Sequence, residues 1–232
     1  MERSKEQIRD FGTDFETDIA AIEDLLTREY QGSGYVTEEE REDPAEMQRK
    51  RWLLTPPARV FMAYMRNGTL AGTVSVIPDT GQLPMGIVFE NELNDMRTQG
   101  MRLAQAAQFA VDRKLMRKNT GARSLKKSAA PRTALALVKT AIHWSVEQND
   151  IDMLCIAVNP RHKGFYTRVG FEIFGAEKLY PLARNNPAVP MRLNLKQLPN
   201  PRFAEKPEHF IIAEMRAVSE QHVLPAKRLR AG

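Results

Sequence analysis

The run Ile151-Asp152-Met153-Leu154-Cys155-Ile156-Ala157-Val158 constrains the fold most. It is short, nearly continuous in apolar residues and closed by Asn159-Pro160, which suits a strand buried on both faces. Such a strand needs a covering layer on each side, and the flanking sequence supplies helices. Pro131 fits the first turn of a helix whose inner face reads Leu135, Val138, Ala141, Ile142 and Ser145. His162–Val169 reads as a second, short helix stopped by Gly170. Together they predict an α/β (α+β) fold, a mixed sandwich around one central sheet.

The remaining chain fits that architecture. Arg59–Met65 and Leu70–Ile77 are strand-like, and Asn67-Gly68 between them suits a tight hairpin turn. Thr13-Asp14-Phe15-Glu16 has the form of a capping box, and Phe15, Ile19, Ile22, Leu26 and Tyr30 follow it with a helical period. Val88–Thr98 reads as a helix. Met101–Val111 is small and apolar and fits strand or helix by pattern alone. Phe171–Phe174 and Pro187–Leu195 read as further strands. Residues 37–58 are polar and Pro-punctuated, a loop long enough to predict a lid or substrate loop. A length of 232 residues favours one main domain, placed at residues 1–199. Residues 200–232 form a tail with one amphipathic helix, Ile211, Met215 and Val218 lying in line.

Several classes are excluded early. The single cysteine, Cys155, forms no internal disulfide, and His143, His162, His209 and His222 are too scattered for a zinc site, so no metal is expected. No apolar run reaches the roughly 18 residues of a membrane span, and the first residues lack the regions of a signal peptide. A cytoplasmic protein is expected.

The net charge of +5 conceals an asymmetry. Residues 1–46 hold fifteen acids against five Lys/Arg, and residues 112–132 hold eight Lys/Arg against Asp112 alone. A basic stretch of this kind either attracts an anionic partner or forms a solvated face neutralised by the acidic N-terminal part. The anionic partner would be nucleic acid, a phosphorylated cofactor or an acidic protein. No aromatic residue lies between Val111 and Ala134, so the stretch offers bases no stacking platform. No nucleic-acid partner is expected.

Two segments together carry a resemblance. One is Leu83-Pro84-Met85 followed by Val88-Phe89, Glu92, Met96-Arg97, Gly100 and Arg102 to Val111. The other is Ala157-Val158-Asn159-Pro160-Arg161-His162-Lys163-Gly164-Phe165-Tyr166-Thr167-Arg168-Val169-Gly170-Phe171-Glu172, then Tyr180-Pro181 and Pro187-Ala188-Val189. Over about residues 15–197 the chain resembles the N-acyl amino acid synthase (FeeM-like) family. That family is a branch of the GNAT acyltransferase superfamily related to the acyl-homoserine lactone synthases. The resemblance implies a sheet splayed between its fourth and fifth strands, here about Arg102–Val111 and Ile151–Val158, where an acyl donor's pantetheine arm pairs with exposed backbone. It also implies transfer of a long acyl chain from acyl carrier protein to the amine of an amino acid or similar small acceptor. No covalently bound cofactor is expected; the donor is the carrier's acyl-phosphopantetheine. The superfamily's CoA-binding loop has only a near miss, Lys118-Asn119-Thr120-Gly121-Ala122-Arg123, so acyl-CoA is the less favoured donor. Arg117, Arg123, Lys126 and Lys127 are the residues expected to receive the carrier-bound donor.

Amide formation from a thioester requires a deprotonated amine, donors for the oxyanion and a proton for the departing thiolate. By resemblance Tyr166 is the proton donor; the alternative is that it only packs beneath the sheet. The related synthases place a glutamate where this chain has Gln105, which accepts no proton at any useful pH. Glu92, Glu90 and His162 are the substitute bases; ordinary surface or turn-forming roles are their alternatives. Arg161 either holds a carboxylate or phosphate, or pairs with the acidic N-terminal region. Two functions follow: the N-acyltransferase, or a non-catalytic acyl-binding or acyl-sensing module that has lost its base.

Overall fold

The computed structural model describes residues 15–37, 39, 58–65, 68–120, 130–205 and 211–215. The chain opens with helix α1 (Phe15–Gln31). Strands β1 (Arg59–Tyr64) and β2 (Leu70–Pro78) form the expected hairpin, and Gly68 in its turn has φ +80°. Asn67, the Thr13-Asp14 half of the capping box and most of the long loop lie outside the described residues.

Helix α2 (Gly86–Thr98) leads into β3 (Leu103–Val111), so the ambiguous Met101–Val111 segment is a strand. Helix α3 (Arg113–Thr120) follows, and α4 (Ala130–Glu147) precedes β4 (Met153–Val158). Helix α5 (Lys163–Val169) ends where Gly170 adopts φ +112°, a conformation that favours glycine. Short strands β5 (Glu172–Ile173) and β6 (Lys178–Tyr180) both line β7 (Asn186–Asn194).

The strand order is β5-β7-β4-β3-β2-β1, with one more strand beyond β1. That strand corrects the reading of the tail. Ile211–Met215 is not helical but forms β8, antiparallel to β1 with Val60 opposite Met215. The spacing of Ile211 and Met215 fits a helix, but an open sheet edge offers these residues a backbone ladder that periodicity does not register.

One face of the sheet packs on α4, with Phe61, Val74, Ala104, Leu137, Ile142, Leu154 and Met191 in its core. The other packs on α1 and α2 through two clusters, one around Ile22, Val60 and Met62, the other around Phe89, Leu93 and Leu103. The α4 stripe differs from expectation by one residue. Leu137 is fully buried, whereas Leu135 lies at the stripe's edge and is exposed.

A polar clamp fixes one end of the β3/β4 pair. Asp152 accepts from the Arg102 backbone N–H at 2.8 Å and from its guanidinium at 3.0 and 3.1 Å, and pairs with Lys196 Nζ at 2.7 Å. The Arg102 hydrogen bond, with Lys196 adding to it, outweighs burial and holds the Asp152 carboxyl well below the usual carboxylate range. A depressed folded-state value means stability fully present above the unfolded carboxylate pKa and lost progressively as pH falls from there through the lower folded value. Asp152→Asn is therefore expected to lower stability by about 1.5–3 kcal/mol at neutral pH. The gap to the wild type should shrink below about pH 4. Denaturant unfolding of both proteins at pH 7 and pH 3 checks this; a gap independent of pH contradicts it.

Candidate active site

β3 and β4 run parallel yet pair only over Leu103–Gln105 against Met153–Cys155. Past that point Ala106–Val111 and Ile156–Val158 have no partners across the gap. Their facing backbone N–H and C=O groups are left for something other than a strand. This is the splay expected between Arg102–Val111 and Ile151–Val158.

The opening leads into a cavity of about 840 Å³, in the range of small-molecule sites. It passes through the sheet: Leu26 and Tyr30 of α1 line it on one side, Val138 and Ala141 of α4 on the other. Space is left because the walls carry small residues where a packed core would carry large ones, notably Ala106, Ala107, Ala134 and Ala141. The depth is apolar, and polar groups gather at the mouth: Glu29, Ser33, Arg113, Asn159, His162 and Asn186.

β3 is distorted beside the gap. Its pairing with β2 shifts by one residue between Thr73↔Ala110 and Ser75↔Ala107, so Gln108 and Phe109 together oppose Val74. Gln108 takes φ +52°. Such a bulge with a non-glycine residue in the left-handed region stores about 1–3 kcal/mol of strain. It sits on the unpaired edge of β3 that lines the cavity.

Tyr166 is on the cavity wall. Phe165 and Phe171 pack edge-on against its ring, with centroids at 5.0 and 5.7 Å. Burial, with a lesser contribution from Tyr35, pushes its phenol well above the usual range, so it stays protonated. Its rigid placement meets both readings, packing and proton donation.

Gln105 also reaches the cavity but is buried, and its Oε1 accepts from the Met85 backbone N–H at 2.8 Å. It thereby ties β3 to the start of α2. His162 is at the mouth. Burial first, then the cations of Arg161 and Arg113, lower its pKa. The ring is therefore neutral at pH 7, and its Nε2 accepts from Arg161 Nε at 3.1 Å, which leaves the proton on Nδ1. Arg161 also donates to the Tyr35 hydroxyl at 2.9 Å, and its guanidinium lies 5.4 Å from the centre of that ring. It holds these two cavity-lining side chains, rather than pairing with an acid, among the described residues.

Glu92 and Glu90 are not on the cavity wall among the described residues. Glu92 pairs with Lys178 Nζ at 2.6 Å; burial opposes its charge, and Lys178 more than compensates, holding its carboxyl below the usual value. Glu90 pairs with Arg97 at 2.6 Å. Cys155 sits at the closed end of the splay with its thiol pushed up by burial to about 12, an inert core sulfur. Of the donor-binding candidates, Arg123, Lys126 and Lys127 lie outside the described residues, and Arg117 is described only as backbone of α3.

Sequence reasoning missed three features. Tyr30, Tyr35 and Tyr180 join Tyr166 on the wall, so four of the five tyrosines face one cavity. Glu23 and Glu29 are the carboxylates that line it among the described residues. The bulge at Gln108 gave no composition signal, since glutamine is an ordinary strand residue. Tyr30 did carry a signal, read only as the apolar period of α1.

Comparison with known proteins bears on the same region. The family model described as N-acyl amino acid synthase FeeM matches residues 21–194. The solved structure of FeeM, an N-acyl amino acid synthase from uncultured soil microbes, superposes with a TM-score of 0.64 at 30% identity, covering 78% of this chain and 87% of that one. TofI, solved in a ternary complex with an inhibitor and MTA, gives 0.52 at 14% identity, covering 77% and 85%. The AHL synthase LasI gives 0.48 at 17%, covering 78% and 85%. No protein with a curated description matches the chain. Among the described residues no helix is long and apolar enough to cross a membrane, and no group of His, Cys, Asp or Glu is placed to hold a metal.

Proposed function

Since the chain belongs to the FeeM family of N-acyl amino acid synthases, acyltransferases of the GNAT fold, we propose that it moves a long acyl group from the phosphopantetheine of acyl carrier protein to the amine of an amino acid. The observation that carries this reading is the unpaired β3/β4 edge opening onto an apolar cavity with Tyr166 on its wall. The thioester arm pairs with the open strand edges and the acyl chain fills the apolar depth. The oxyanion forms against backbone amides near the bulge at Gln108, and Tyr166 protonates the departing thiolate.

The amine's proton is handled differently from the related synthases. Gln105 is a neutral amide and Glu92 is held by Lys178 away from the cavity. On this reading the acceptor enters as the free amine, with Glu23, Glu29 and His162 of the lining not acting as its base, and turnover rises with pH from neutrality upward as the acceptor's ammonium loses its proton. Gln105→Glu keeps an acceptor for the Met85 N–H and adds a base. It is expected to raise turnover near pH 7 by about 10²-fold and to flatten that pH profile. A variant that folds and binds donor without either change places the base elsewhere.

Charge supports the choice of donor. Carrier proteins are acidic, and α3, where the basic stretch begins, starts at the cavity mouth. The stretch is partly neutralised from within, because Glu29 pairs with Arg113 at 2.7 Å. Docking therefore falls to the residues beyond. Lys126→Glu together with Lys127→Glu is expected to weaken carrier binding several-fold at low salt, with the effect fading as salt rises. Activity on a small pantetheine thioester should persist. Equal loss on both donors, or no loss on either, removes these lysines from carrier docking.

A further inference from the structure

The turn between β4 and α5 is built around Arg161. Asn159 Oδ1 accepts from the Arg161 backbone N–H at 3.2 Å, and Pro160 opens the short helical turn Pro160–His162, so the backbone beneath the side chain is fixed. The guanidinium then uses one edge twice. Its Nε donates to His162 Nε2 at 3.1 Å, and its Nη2 donates to the Tyr35 hydroxyl at 2.9 Å. Those two N–H groups are parallel and rigidly spaced, a fork that the point charge of a lysine does not imitate. The fork joins a ring from the β4–α5 turn to a phenol from the loop after α1, and both line the cavity. A guanidinium does not give up its protons, so His162 Nε2 is confined to accepting. A proton added there would set N–H against N–H and break the fork. The proton of the ring is therefore on Nδ1, which has no partner among the described residues.

We infer that Arg161 is a positioning residue: it fixes His162 so that Nδ1–H is offered to a substrate oxygen at the cavity mouth, where His162 serves as a hydrogen-bond donor and not as the base. The substrate half of this inference rests on the acyl-transfer reading above; the state of the ring does not. Two substrate groups carry a suitable oxygen, the carboxylate of the acceptor and the amide or phosphodiester of the carrier's arm. The other charged and titratable groups that bear on the ring are Arg113 of α3, with its partner Glu29 of α1, and the Tyr35 phenol. Burial and the two cations, Arg161 and Arg113, all oppose protonation of the ring, in keeping with a neutral donor.

Long-range nitrogen–proton NMR correlations read the ring directly, since the chain has only four histidines and His162→Asn identifies the signal. The wild type should show His162 as the Nδ1–H tautomer, titrating below the ordinary histidine value of about 6.5. In Arg161→Met the midpoint should rise toward that value and the single tautomer should give way to a mixture. Kinetics supply the second arm. His162→Leu removes the donor, whereas His162→Asn keeps an amide N–H close to the Nδ1 position. His162→Leu should raise one KM about tenfold with kcat nearly unchanged. Arg161→Met should raise the same KM, and His162→Asn should recover most of the loss. A higher KM for the amino acid assigns the oxygen to the acceptor's carboxylate; a higher KM for dodecanoyl carrier protein assigns it to the carrier's arm. A wild-type ring protonated on Nε2, KM values that His162→Leu leaves unmoved, or a fall in kcat shared by His162→Leu and His162→Asn would overturn the inference while leaving acyl transfer standing. If the wild type forms no amide, the acyl-transfer reading fails and takes the substrate half with it, while the spectra alone decide the state of the ring.

Discussion

Tyr166→Phe is expected to lower turnover by about 10²–10³-fold with little change in stability. The hydroxyl is the only group removed, and the ring keeps its contacts with Phe165 and Phe171. The same phenol, held protonated by burial, is available over the whole working pH range. Its role as acid predicts a dependence on the leaving group. A donor whose thiol has a low pKa departs without help, so the defect should narrow sharply on an aryl thioester. A defect of equal size on alkyl and aryl thioesters would mean that the hydroxyl positions the donor. Unaltered rates on both would leave Tyr166 as a packing residue.

Ala134→Phe is expected to shorten the cavity. Ala134 lines it on α4, one turn before Val138, and a phenyl group there projects into space that the wild type leaves open. Each methylene kept from burial forfeits about 0.8 kcal/mol, so excluding about four of them lowers kcat/KM on a dodecanoyl donor by about 10²-fold. Butanoyl and acetyl donors should be little affected, and thermal stability should hold, because the new side chain fills a void rather than displacing a neighbour. A uniform loss across chain lengths would show that the acyl group lies elsewhere.

The sequence disclosed most of the layers for a simple reason. β4 and the inner stripe of α4 are apolar at the spacing their burial demands, and Gly170 stops α5 where a left-handed residue is needed. What it hid depends on three-dimensional partners. The pattern of Ile211 and Met215 reads as helix until β1 supplies an edge. Leu135 and Leu137 are alike in type, and only the fixed rotation of α4 against the sheet separates them. At the site, Tyr166, Gln105 and His162 line one cavity, whereas Glu92 is drawn into an ion pair by Lys178 from a strand eighty-six residues along. Ion pairs of that sequence separation leave no local signal. Neither does a bulge built on glutamine, nor a buried Asp112 whose partner sits on α1.

The central claim is that the splayed edge and its apolar cavity support transfer to an amine, beyond the holding of an acyl chain. Purified protein mixed with dodecanoyl carrier protein and a panel of amino acids, followed by mass spectrometry, tests it most directly. The account predicts a new N-dodecanoyl amide, formed at a rate that rises with pH and saturates in carrier. Saturable binding of the acyl carrier with no amide formed with any amine would contradict it, and would identify the fold as an acyl-binding module that has kept the cavity without the chemistry.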